Sequence, residues 1–177
     1  MASYYYLAAS LPMLRWEDPA PMSVVKFLED CQGNMKGKDY TTMTKALAGE
    51  PCANGFVRQW EEFQQMVRME LSEQRSKKLN LRGDKYRNSG DREFQISEAV
   101  RNAIGAQNPL EGELILLRLF WEYLDDASVN HMFDLTGLLA YSLKLRLLER
   151  KSEFDTADGN KEFDGLLGNL KSMMKGN

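Results

Sequence analysis

His131 is the single histidine of a 177-residue chain, and histidine is the side chain best suited to moving protons near neutral pH. Asp134 follows three residues later, where an apolar helix-like run begins. A general base or metal ligand needs partners, and no spacing around His131 announces them, so the expected role is a capping or boundary histidine. The acidic pairs Glu61-Glu62 and Asp125-Asp126 suggest acid–base work or a divalent cation. A cation loop spaces its acidic ligands through a glycine turn, and no such turn occurs; both pairs read as solvated helix faces or terminal turns. Gly33-Asn34-Met35-Lys36-Gly37-Lys38 combines glycine with lysine but lacks the spacing of a phosphate-cradling loop. A nucleophile elbow and a zinc-type Cys/His cluster are also missing. Cys31 and Cys52 are too few for a disulfide framework and read as small buried or half-buried hydrophobes in a reduced chain. These residues point to a non-enzymatic protein with no catalytic site, cofactor or metal.

One basic run invites a different chemistry. Arg75, Lys77, Lys78, Arg82, Lys85, Arg87 and Arg92 interleave with Tyr86, a pattern that can track a phosphate backbone. Glu73, Asp84 and Asp91 dilute it, which favours a solvated connector or a protein-docking loop over nucleic acid. The net charge of −3 supplies no global field for nucleic acid or anionic lipid.

The element that must position any site is the run from His131 to Lys151. At about 100° per residue, Ala140, Leu143 and Leu147 form one apolar stripe, and Leu138, Tyr141, Leu145 and Leu148 form another nearly opposite. Ser142, Arg146, Glu149 and Arg150 separate them on one side; Gly137, Lys144 and Lys151 do so on the other. Two stripes need two packing partners, so this helix is expected to be wedged between neighbours. Lys144 and Lys151 either snorkel at a helix edge or border a surface kept for another protein.

The other helices follow from their punctuation. Tyr4-Tyr5-Tyr6-Leu7 opens a short helix that Pro12 stops, and a proline-marked loop covers residues 16–22. Ser23 caps a helix ending near Gly33, and Asp39 begins one closed by Gly49 and Pro51. Asn54-Gly55 opens a longer helix on which Phe56, Trp60, Phe63, Val67 and Leu71 share a face. Beyond Leu71 the pattern thins, and residues 76–96 read as a mobile polar loop. Ser97 begins a short helix, and Asn108-Pro109-Leu110-Glu111 gives a cap, a first-turn proline and an acidic third residue for a deeply packed one. A last amphipathic helix at 160–174 carries Phe163, Leu166, Leu167, Leu170, Met173 and Met174. The fold class is all-α: a compact helical bundle of about six helices in a single domain over 1–177. The chain has no run suited to a transmembrane span, and its start is no convincing signal peptide.

Three segments together carry a resemblance: YYYLAASLP, WEEFQQMVRMELSEQRSKKL, and FDLTGLLAYSLKLRLLER with the acidic glycine loop after it. They look like a small bacterial family of undefined biochemical role, typically encoded among the subunits of V/A-type rotary ATPases. More distantly the chain is similar to the C-type funnel protein of that enzyme (its d-type counterpart in eukaryotes), an all-helical funnel that caps the rotor ring and joins it to the central stalk. Tyr4-Tyr5-Tyr6-Leu7, Phe133 and Leu138-Leu139-Ala140-Tyr141 stand where the funnel has similar residues. The chain is too short for the three helical modules of a full funnel, and has Ser10-Leu11-Pro12 where an arginine is usual. The resemblance implies a reduced, funnel-like coupling part of the V/A-type ATPase, with the rotor ring and central stalk as partners. Its place would be cytoplasmic, peripheral to the inner face of the membrane. A transient assembly factor or regulator is the alternative, and a nucleic-acid-binding helical domain a further one. Expected partner-contact residues are Tyr4, Tyr5, Tyr6, Leu138, Tyr141, Lys144, Leu145 and Leu148.

Overall fold

Four helices begin with a side-chain cap. Ser23 and Asn108 are the caps expected from sequence, Asn54 caps the helix it is expected to open, and Asp134 takes the capping place expected of His131. Ser23 accepts from the Lys26 amide at 3.2 Å, Asn54 from Val57 at 3.1 Å, Asn108 from Glu111 at 2.7 Å and Asp134 from Gly137 at 3.0 Å. Each bond satisfies an amide that has no partner inside the first helical turn. Glu111 turns back to accept from the Gln107 amide at 3.2 Å, which completes the cap that Asn108-Pro109 starts.

The computed structural model describes residues 4–81 and 93–154. In chain order the helices are α1 Tyr5–Ser10, α2 Val24–Gln32, α3 Gly37–Ala48, α4 Gly55–Lys78, α5 Phe94–Gly105, α6 Pro109–Ala127 and α7 Leu135–Glu153. The described residues are thus an all-helical bundle of seven helices, without a strand among them. The expected helix at 160–174 lies outside the described residues.

α7 packs against α6 and against α2 and α3, while α5 packs on α6 and α4 on α5. Both stripes of α7 are internal: Leu138, Ala140, Leu143, Leu145, Leu147 and Leu148 are all buried. Even Ser142, on a face read as polar, is fully enclosed and donates to the Leu139 carbonyl at 2.8 Å. The polar side chains of α7 stitch it to its neighbours. Glu149 accepts from the Val24 amide at 2.8 Å, placing a carboxylate at the positive end of α2. Arg146 donates to the Leu47 carbonyl at the end of α3, and Arg150 pairs with Glu113 on α6.

α4 and α6 share an aromatic layer. The Phe63 and Tyr123 rings stack with centroids 3.9 Å apart, and Trp60 meets Phe120 edge-on at 5.5 Å. α5 lies close on α6 because Gly112 has no side chain: a Cβ there would stand 2.5 Å from the Ala103 carbonyl oxygen.

Several boundaries differ from expectation. α4 does not end near Leu71 but runs to Lys78, and α5 starts at Phe94 rather than Ser97, so the connection is shorter than 76–96. The extra turns of α4 are helix-favouring and bonded along the helix: Glu73 pairs with Lys77 at 2.7 Å, and Gln74 donates to Glu70 at 2.9 Å. Glu70, Glu73 and Ser76 are buried there, a packing that a search for apolar periodicity passes over. Residues 82–92, the middle of the expected loop, lie outside the described residues. α3 begins two residues before Asp39, and α7 begins at Leu135, four residues after His131.

Candidate interaction surface

The three consecutive tyrosines do three different things. Tyr4 is buried, its hydroxyl donating to the Asp39 carboxylate on α3 and its amide to the Phe133 carbonyl at 2.7 Å. Burial raises the Tyr4 pKa, the bond to Asp39 raises it further, and a backbone bond at Lys36 opposes them. Tyr5 turns outward and rests on the Phe133 ring, centroids 4.8 Å apart. Tyr6 meets Tyr5 edge-on at 5.7 Å and is 89% exposed. With Met132, itself 73% exposed, these rings make an apolar patch at the end of the bundle where α1 meets the start of α7. An exposed aromatic cluster anchored by one buried member has the composition of an interaction surface.

The loop beneath the patch is held by the groups whose residue types suit chemistry. His131 Nδ1 lies 2.6 Å from Asp134, whose other carboxylate oxygen caps α7. Burial pushes the Asp134 pKa up, but the His131 hydrogen bond, the Gly137 amide, the His131 charge and the Thr136 amide outweigh it, and the carboxyl is held below its ordinary value. The loop folds so tightly over the first turn of α7 that a Cβ on Gly137 would land on the His131 carbonyl oxygen. Gly137, read as part of a polar seam, is therefore the seat for this loop.

The other expected contact residues are placed differently. Leu138, Leu145 and Leu148 are at most 2% exposed, so they are core residues rather than surface. Tyr141 is half-buried, its ring tilted on Phe27 at 5.2 Å and its hydroxyl donating to the Pro12 carbonyl at 3.0 Å. Burial pushes its pKa up to about 12, with the Cys31 thiolate charge adding to it. Lys144 is paired with Asp125 and lies 5.4 Å from the Trp121 ring centroid. Lys151 donates to the Trp16 carbonyl and sits 4.9 Å from the Trp16 ring centroid. The lysine seam thus ties α7 to α6 and to the loop after α1, and Lys151 also borders a wide depression on the α5–α6 side. Of the eight residues, Tyr5 and Tyr6 remain open.

Glu61 and Asp125 line two separate hollows. Glu61 belongs to a groove of about 460 Å³ between α4 and the α6–α7 pair. Asp125 and Asp126 line a wider depression of about 870 Å³ on the α5–α6 side, with Glu93, Glu98 and Glu122. Among the described residues no three histidine, cysteine, aspartate or glutamate side chains are grouped to hold a metal ion. Cys31 is buried and Cys52 half-buried, both free, and burial pushes the Cys31 thiol up to about 12, with Asp30 adding to it. In the basic run, Lys77 pairs with Glu73 and Lys78 donates to the Ile104 carbonyl at 3.0 Å, while Arg82, Lys85, Arg87 and Arg92 lie outside the described residues. Among the described residues no helix is long and apolar enough to cross a membrane.

No curated protein and no solved structure matches this chain. A family does match, across most of its length, beginning within α3 and leaving the three tyrosines outside. The chain belongs to the DUF2764 family of proteins of unknown function, which it matches over residues 44–174.

Proposed function

We propose that this protein is a non-catalytic component of a V/A-type rotary ATPase, a reduced, funnel-like part that links the membrane rotor ring to the central stalk by helix packing. The observation that carries this reading is the outward pair Tyr5 and Tyr6, standing with Phe133 and Met132 on a patch anchored by buried Tyr4. Tyr4-Tyr5-Tyr6-Leu7 is also a segment that resembles the funnel protein of that machine. A coupling part must pass force without deforming. A helix enclosed on both stripes and stitched to α2, α3 and α6 by Glu149, Arg146 and Arg150 suits that task. The partner surfaces that fit are apolar helix ends or loops able to take aromatic rings.

Purification of the intact ATPase from cells carrying a tagged copy tests this. Recovery of rotor and stalk proteins at fixed stoichiometry is expected. Recovery only from assembling complexes would replace the permanent part with a transient assembly factor. Absence of every ATPase component, with ion pumping unchanged on deletion, would overturn the reading.

A further inference from the structure

The wide depression on the α5–α6 side follows a stripe of α6 left open between α5 and the loop after α1. Ile115, Leu119 and Tyr123 recur about one turn apart along its floor, and the stripe reaches Asp126 after about 17 Å of helix. Ala99 and Asn102 of α5 form one bank, Trp16 and Lys151 the other. The lining carries five carboxylates, Glu93, Glu98, Glu122, Asp125 and Asp126, against two cations, Arg118 and Lys151. That excess of three negative charges equals the net charge of the whole chain, so by formal count the charges outside this hollow balance.

The ion pairs at the hollow do not cancel this excess. Arg118 is shared between Glu122 at 2.8 Å and Glu17 at 3.6 Å. Lys144 of α7 pairs with Asp125, and Lys151 donates to the Trp16 carbonyl. Glu93, Glu98 and Asp126 have no cationic partner among the described residues. Asp125 and Asp126 also stand in the last turn of α6, which holds no basic residue. The helix dipole is negative there, so a carboxylate is out of place and a cation is favoured. The negative field reaches the floor: burial raises the Tyr123 pKa, and the charges of Glu93 and Glu62 add to it.

We infer that this depression is the docking groove for a basic amphipathic helix of a partner protein. The helix sets apolar side chains on Ile115, Leu119 and Tyr123, and lysine or arginine against Glu93, Glu98 and Asp126. A partner strand finds no edge to join, because no strand occurs among the described residues. A helix of about three turns matches the length of the open α6 stripe and lies in a trough between helices. The groove shares no residue with the aromatic patch of Tyr5 and Tyr6, and the inference does not rest on the ATPase reading.

The probe is a fluorescein-labelled synthetic peptide of about 14 residues, with leucines on one helical face and lysines on its flanks. Its twin carries glutamate in place of every lysine. Fluorescence anisotropy with the full chain should show the lysine peptide binding at least about tenfold more tightly, the difference shrinking as salt rises. Glu98→Lys with Asp126→Lys, both at exposed positions, should weaken binding about tenfold. Glu29→Lys with Glu50→Lys changes the net charge equally at exposed positions elsewhere and should leave binding within about twofold. Ile115→Ser should weaken it severalfold, with thermal melts selecting the folded variants. Equal binding of the two peptides, or equal loss in the two charge-reversed variants, would overturn the inference. Tighter binding after Arg82, Lys85, Arg87 and Arg92 are changed to serine would overturn it too, giving the groove to the chain's own basic residues. So would a dimer that Glu98→Lys disperses, which gives the groove to a second copy.

Discussion

Leu145→Ala measures whether the second stripe of α7 is core or contact surface. Leu145 is fully enclosed, and Leu138 and Leu148 on the same stripe are 2% and 1% exposed. Removing three side-chain carbons from such a site loses their transfer energy and leaves a cavity, for a cost of about 3 kcal/mol. For a domain of this size each kilocalorie lowers Tm by about 2–4 °C, so a fall of about 6–12 °C is expected. Urea unfolding followed by circular dichroism should show a lower midpoint with an unchanged slope. Leu145→Asp buries an unpaired carboxylate and should leave no native state at neutral pH. A loss below about 1 kcal/mol for Leu145→Ala, or a folded Leu145→Asp protein that only fails to bind its partners, would refute the reasoning. Leu79→Ala, at a site 68% exposed, serves as the control and should stay within about 0.5 kcal/mol of wild type.

Gly137→Ala should destabilise by about 1–3 kcal/mol, because the added methyl must push the 128–134 loop off α7; thermal melts and a loss of protection at the Tyr4 amide, which donates to Phe133, read this out. Asp134 is held below its ordinary carboxyl value in the folded chain, so its contribution to stability is present above the unfolded pKa of about 4 and is lost as pH falls through the folded one. Urea midpoints at pH 7 and pH 3 should therefore differ less in Asp134→Asn, which keeps a capping side chain, than in wild type. Tyr6→Ser should leave stability within about 0.5 kcal/mol, as befits an 89% exposed ring, while weakening partner retention.

Much of the bundle is legible in the sequence, for identifiable reasons. Caps at Ser23 and Asn108 and the helix start at Asn54 are local signals, set by one side chain and an amide three residues away, whereas the cap of α7 is Asp134 and not the expected His131. The wedged position of α7 follows from two apolar stripes, which have no other way to leave water. Polar packing is hidden. Glu70, Glu73 and Ser76 extend α4 by burying groups that periodicity assigns to solvent. Lys144 and Lys151 carry the composition of an open seam, yet Trp121, Asp125 and Trp16 reach across from distant segments to meet them. Gly137 gives no hint in sequence of the loop it seats, because the obstruction comes from the backbone of His131. The candidate surface is half legible. Three adjacent tyrosines mark the place, but only the fold shows that Tyr4 is the anchor and Tyr5 and Tyr6 the open rings.

The most direct measurement is the composition of the ATPase purified through this chain, with wild type compared against a Tyr5→Ser, Tyr6→Ser double variant. Rotor-ring and central-stalk proteins should be retained stoichiometrically by the wild-type chain and lost from the folded variant. A wild-type preparation carrying no ATPase component, or a double variant that retains them all, would contradict the account.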